Sequence, residues 1–129
     1  MSLHIVRLGT PRIPEEGTRI GTVRRPPRGV PKTEFASRNY YDVWFPILAP
    51  SLETMEFAHA ADTPAKWAAF IRKYKAEMNN PDVKHVLSLL ATLSHTTNFS
   101  VGCYCEHEEH CHRSVLRQLL ADHGAQIAD

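Results

Sequence analysis

Phe99-Ser100-Val101-Gly102-Cys103-Tyr104-Cys105-Glu106-His107-Glu108-Glu109-His110-Cys111-His112-Arg113-Ser114-Val115-Leu116 changes its hydrophobic period partway along. Phe99, Val101 and Cys103 alternate with smaller neighbours, so they share one face of an extended segment. Val115, Leu116, Leu119 and Leu120 fall at helical spacing, and the helix they predict runs from about Cys111 to Asp122 before stopping at His123-Gly124. Between them lies a short polar loop. Strand, loop and helix in this order form the half-unit from which α/β folds are assembled.

Working back from this unit, two helices announce themselves. Thr63-Pro64 and Asn80-Pro81 each pair a capping side chain with a proline at the first helical position. Trp67, Phe70, Ile71, Tyr74 and Met78 form the apolar stripe of the first, and Val83, Val86, Leu87, Leu90 and Leu93 that of the second. Residues 3–8 and 19–23 read as strands, and residues 41–48 as a further strand or edge segment. Arg24-Arg25-Pro26-Pro27-Arg28-Gly29-Val30-Pro31-Lys32 is too rich in proline for a helix or a central strand, and is a loop. The chain is therefore expected to be one small α/β domain over residues 1–129, with a mostly parallel sheet and flanking helices. The early strand ending near Val23 and the late strand ending near Cys103 should be parallel neighbours. Their following loops would then share one edge, with guanidiniums about 6–10 Å from Cys111 and His112.

Composition narrows the function classes. Charged residues interrupt every apolar run well short of the ~20 residues of a membrane span, so no membrane partner is expected. No basic start followed by an apolar run marks a signal peptide. The net charge of +1 gives no global pull towards nucleic acid, so any basic surface is local. All three cysteines lie within nine positions, a poor disulfide framework, and reduced thiols in a cytoplasmic protein are expected.

The chemistry concentrates at the same loop. A helix start presents free N–H groups and the positive end of its dipole, which favours a thiolate at Cys111. Arg113 in the first turn offers a planar fork of donors for phosphate or carboxylate. Cys103 stands at the carboxyl end of a strand, where open α/β sheets bind ligands. The candidate catalytic residues are Cys103, Cys111 and His112, and the candidate binding residues are Arg24, Arg28, Arg113 and Glu106. The ordinary alternatives are that the cysteines pack in the core and that the arginine run is a solvated charge run. No metal or other cofactor is required. The alternative is zinc on Cys103, Cys105, Cys111 and one of His107, His110 or His112, with His107 taken first, although the Cys-x-Cys spacing is unusual for a zinc knuckle. Tyr40 and Tyr41 can stack on bases, whereas Trp44 and Phe45 read as core. The expected partner is an anionic, phosphorylated or nucleotide-like small molecule. A nucleic-acid or protein-binding module, or a zinc-stabilised structural domain, is the alternative.

Gly102-Cys103-Tyr104-Cys105-Glu106 followed by Cys111-His112-Arg113-Ser114-Val115-Leu116 resembles the signature of the Domain of Unknown Function 488 family. That signature is a cysteine at a strand end, an acidic residue soon after, and Cys-His-Arg opening the last helix. The loop at residues 24–32 is similar to an Arg-x-x-Pro-Arg-Gly-like loop of the family. Ala49-Pro50-Ser51, with Trp67, Phe70 and Tyr74, resembles one of its branches. The resemblance runs from about Arg19 to Leu120 and implies an α/β fold in a prokaryotic, cytosolic protein, without a reaction. One departure stands out. Relatives often carry an aspartate near the end of the early strand, and here that place reads Gly21-Thr22-Val23. A carboxylate role there would pass to Asp42 or Glu106.

Overall fold

Four parallel strands in the order β1-β4-β2-β3 build the sheet of the computed structural model, which describes residues 1–128. The strands are β1 (Leu3–Arg7), β2 (Thr18–Gly21), β3 (Val43–Trp44) and β4 (Phe99–Cys103). The helices are α1 (Leu52–Ala60), α2 (Pro64–Met78), α3 (Pro81–Leu93) and α4 (His112–Asp122). β4, the strand that fixed the reading of the sequence, is central and buried along its whole length. It pairs with β1 on one side and β2 on the other, so the loops after all three open on the same edge.

The capping signals act as expected. Thr63 Oγ1 accepts the backbone N–H of Lys66, and Asn80 Oδ1 accepts that of Asp82. Phe70, Tyr74 and Met78 of α2, Val83, Leu87 and Leu90 of α3, and Val115, Leu116 and Leu120 of α4 join Leu3, Phe99 and Val101 in the main core. Burying a side chain such as Leu116 contributes about 1.5–3 kcal/mol, and these residues together hold the helices to the sheet. A smaller cluster of Leu8, Val23, Tyr41, Cys103 and Cys111 lies at the carboxyl edge.

Two expectations are corrected. The strand over residues 41–48 shrinks to β3, because Pro46 removes a ladder donor and a short 3-10 turn, Pro46–Leu48, follows. Trp44 is not core: as part of an edge strand it is 45 % exposed, with its indole N–H donated to Val23 O at 2.8 Å. Phe45 is only half-buried against the main core, while Tyr41 is the fully buried aromatic of this region. α1 was not foreseen, since it carries no continuous apolar stripe. Its start is fixed instead by Ser51, whose Oγ accepts the N–H of Thr54 and donates to the Glu77 carboxylate.

An inward-pointing ion pair fixes the loops at the carboxyl edge. Arg19 on β2 is 1 % exposed, and its Nε donates to Glu16 Oε1 at 2.8 Å. Its Nη1 donates to the carbonyls of Thr10 and Asn39 at 2.8 and 2.6 Å, and its Nη2 to that of Pro11 at 3.2 Å. One guanidinium thus ties the β1–β2 connection to the approach to β3. Next to it, Asp42 accepts from Arg12 at 2.7 Å and from the Arg19 backbone N–H at 2.8 Å.

Burial pushes the carboxyls of Glu16, Asp42 and Glu77 up, but donors outweigh it and hold all three below the usual carboxylate range. Those donors are Arg19 and the Ile13 N–H for Glu16, Arg12 and the Arg19 N–H for Asp42, and Ser51 and Thr54 for Glu77. A depressed folded-state pKa gives stability that is present above the unfolded pKa, near 4, and is lost as pH falls through the folded value. The melting temperature is therefore expected to be level above about pH 5 and to fall below about pH 4. Glu16→Gln should lower the plateau and flatten the acid limb; an unchanged acid limb in Glu16→Gln, Asp42→Asn and Glu77→Gln alike would show that these carboxylates do not carry it.

Candidate functional site

Cys103 ends β4 and Cys111 caps α4, so the chain leaves the sheet and returns to it within eight residues. The two side chains meet: Cys103 Sγ lies 2.7 Å from Cys111 Sγ, and both residues are 2 % exposed. Reduced thiols are expected from the sequence, and the two cysteines are unbridged although their sulfurs are in contact. Both residues are free cysteines, and the contact is a sulfur–sulfur hydrogen bond.

His112 follows at the first position of α4. Its Nε2 lies 2.8 Å from Thr22 O. A carbonyl can only accept, so Nε2 donates to it, and Nδ1 faces Cys111 Sγ, 3.9 Å away. Tyr74 packs edge-on against the imidazole at 5.6 Å, while its hydroxyl donates to Leu48 O. Thr22 is wholly buried and is held in turn by Gly102, whose carbonyl accepts both the Thr22 N–H and its hydroxyl at 3.0 Å. β4 therefore sets Thr22, and Thr22 sets His112. Gly102 itself has no room for a side chain, since a Cβ there would stand 2.7 Å from Val6 O.

The charge on the sulfur pair is uneven. Hydrogen bonds from Cys103, then from Cys105, and the neighbouring His112 hold the Cys111 thiol well below its usual range against the effect of burial. Hydrogen bonding with Cys105 and Cys111, together with burial, pushes Cys103 well above it. Both directions favour Cys111 as the thiolate side of the pair and Cys103 as the protonated side. The α4 N-terminus favours this assignment.

Arg113 takes a different place from the one the sequence suggests. It is 4 % exposed, and its Nη2 donates to Cys105 O at 2.6 Å. Burial works against its charge, but a hydrogen bond to Cys111 and the nearby sulfurs outweigh this and hold the guanidinium above its usual range. Its Nε has no partner among the described residues. Glu106 and His107 lie outside the site: both side chains are exposed, and they lie 3.9 Å from each other. The loop between the cysteines projects them outwards because it turns through a short 3-10 segment, Glu108–His110. Asp42 belongs to the Arg12 and Arg19 contacts, so neither it nor Glu106 supplies the carboxylate missing at Thr22.

A cavity of about 870 Å³ opens above the sulfurs. Cys103, Cys105 and His112 lie on its lining, and Cys111 does not. Residues 24–28 and residues 7–10 form further walls, and Tyr40 and Tyr104 join them. The loops after β2 and β4 thus meet on one edge as expected, and Tyr104 bonds them directly by donating its hydroxyl to Arg25 O at 2.8 Å. Arg24 lines the cavity but spends its guanidinium on the carbonyls of Ala49 and Pro50. Arg28 lines it too, with Arg25 and Arg7, and among the described residues these three guanidiniums have no protein partner. Glu56 and His59 of α1 line it as well.

Sequence reasoning missed Arg7, Thr22 as the support of His112, and the whole α1 wall. The signal for Arg7 was available: it ends a strand beside β4, so its register partner is Cys103.

A parallel sheet with a cysteine at the end of its central strand and Cys-His-Arg opening the next helix defines a domain of the DUF488 class. Residues 3–124 match the family model DUF488-N3a, described as the active DUF488-N3 subclade, and the chain belongs to that family. No curated protein and no solved structure matched the chain. Among the described residues, no helix is long and apolar enough to cross a membrane.

Proposed function

We propose that this protein is a thiol-dependent enzyme acting on a phosphorylated, nucleotide-sized ligand. The observation that carries this reading is the placement of Cys103 and His112 in a cavity rimmed by unpaired arginines. Its volume falls within the range of about 300–1,000 Å³ that small-molecule sites occupy. Arg7, Arg25 and Arg28 would take the phosphate, and Tyr40 and Tyr104 the flat part of the ligand. Cys103 is the nucleophile. Its proton moves to the Cys111 sulfur, beside His112 and Arg113; the freed Cys103 thiolate bonds to the electrophilic atom of the ligand as that atom's bond to its leaving group breaks, and the Cys111 S–H returns the proton to the departing group. The family description, which calls the subclade active, fits an enzyme.

The test uses protein treated with EDTA and carrying Cys105→Ser, so that two thiols remain. One equivalent of iodoacetamide near neutral pH is expected to modify Cys103, mapped by mass spectrometry. Adenosine 5′-monophosphate should slow that reaction, and Arg25→Ala with Arg28→Ala should weaken the protection by about tenfold. Slow modification comparable to that of a denaturation-dependent core thiol would overturn the nucleophile. Protection that survives the loss of both arginines would overturn the phosphate site.

A further inference from the structure

We infer that Cys103 Sγ, Cys111 Sγ and His112 Nδ1 form a three-ligand site for a soft divalent cation of the zinc class, with its fourth position open to the cavity. The inference goes beyond the thiol chemistry proposed above, because metal binding and nucleophilic attack would use the same sulfurs in turn. Among the described residues, these three are the one group of such ligands whose donor atoms all lie within 4.8 Å of one another.

The ligand types and the count fit. Two thiolates and an imidazole, with one position left over, are a set that catalytic zinc sites use, whereas closed structural sites use four protein ligands. The four-ligand alternative suggested by the sequence does not assemble here: His107 is exposed beside Glu106 and Glu109, and neither it nor Cys105 belongs to the group. The missing fourth ligand is what leaves the site open. Cys103 and His112 both line the cavity, so an ion on them faces the space where a ligand would enter.

The support around the ligands fits as well. A histidine that binds metal through one nitrogen normally donates the other N–H to a carbonyl or carboxylate, which fixes ring and tautomer. His112 does this through Nε2 to Thr22 O at 2.8 Å, and Thr22 is clamped to Gly102. Nδ1 is therefore presented without any change of ring orientation. A tetrahedral ion with zinc–sulfur bonds of about 2.3 Å holds its sulfurs about 3.8 Å apart, and sulfur and nitrogen about 3.6 Å apart. The Cys111 Sγ to His112 Nδ1 distance of 3.9 Å is already near that value. The sulfurs, at 2.7 Å, must part by about 1 Å, which a modest side-chain rotation supplies. On binding, the cation replaces the proton shared by the sulfurs, and that proton leaves to solvent. Two thiolates and a neutral imidazole then balance the charge of the ion, and Arg113 faces the sulfurs from behind.

The experiment is a titration of EDTA-treated protein with cobalt(II) followed by absorption, then competition with zinc. One equivalent is expected to give a sulfur-to-cobalt charge-transfer band and the visible bands of a tetrahedral ion, both removed by zinc. Cys103→Ser and Cys111→Ser should each lower the charge-transfer band, His112→Ala should weaken binding, and Cys105→Ser should leave the spectrum unchanged. If a cysteine variant fails to fold, wild-type protein still decides. Stoichiometric zinc should slow iodoacetamide modification of Cys103 by about tenfold or more and leave Cys105 reactive. Binding without sulfur charge transfer, or zinc that leaves Cys103 reactivity unchanged, would overturn the site. The two proposals fail separately: an inert Cys103 in metal-free protein removes the nucleophile, and absent cobalt bands remove the metal.

Discussion

Arg19→Ala is expected to lower unfolding stability by about 3–5 kcal/mol, close to half of what a domain of this size commonly has. The cause is what remains behind rather than the lost side chain. Glu16 would keep its carboxylate buried without its guanidinium, and the carbonyls of Thr10, Asn39 and Pro11 would lose a shared donor. Leaving one member of a buried pair unpartnered costs far more than the pair itself contributes, because the charge is desolvated with no compensation. Urea unfolding followed by far-UV circular dichroism reads the difference directly. The double replacement Arg19→Met with Glu16→Leu should recover most of the loss, since it removes both charges together. A single-variant loss under about 1 kcal/mol would mean that water already reaches the pair. The loops that Arg19 joins include Thr10 and adjoin Tyr40, both lining the cavity, so the variant should also loosen that wall.

Cys111→Ala is expected to slow modification of Cys103 by roughly a hundredfold in EDTA-treated protein at neutral pH. Cys111 is not on the cavity lining and cannot itself meet a reagent there. Its contribution is to accept the Cys103 proton at 2.7 Å and to hold the resulting arrangement beside His112 and Arg113. Without it, Cys103 has no adjacent base to take its proton, and burial still raises the cost of ionising it. The competing physical effect has the opposite sign. A thiolate next to Cys103 also repels a second negative charge, so its removal would speed the reaction if repulsion outweighed proton transfer. Mass mapping of the modified residue separates the outcomes, and a faster Cys103 would assign Cys111 a purely structural place.

Much of the architecture could be read from local signals. Thr63-Pro64 and Asn80-Pro81 announced two helices because their caps are made by adjacent residues, and the change of period at Cys103 announced the βα unit. The parallel pairing of the early and late strands followed from the helices between them. α1 escaped because its position depends on Ser51 meeting Glu77, a contact between distant residues. Trp44 was misplaced because hydrophobicity alone does not tell an edge strand from an inner one. The site divided in the same way. Cys103, Cys111 and His112 converge as adjacency in sequence suggests. Arg113 turns inward to Cys105 O, and Arg24 turns to Ala49 O and Pro50 O, so both guanidiniums satisfy backbone carbonyls. Neither preference is visible until the carbonyls are placed.

The strand order has a consequence for how the molecule is made. Leu3 and Thr18 both pair with Phe99, so two strands synthesised early have no bridge between them until the last quarter of the chain arrives. A nascent chain emerging from the ribosome carries β1 unpaired and β2 with only the short β3 beside it, while α2 and α3 already form through local contacts. Closure of such long loops slows folding relative to helical proteins of equal length, and the late insertion of β4 becomes the committing event. The cysteines enter with that strand and the helix after it. The Cys103 and Cys111 sulfurs are thus brought together only when the sheet is complete.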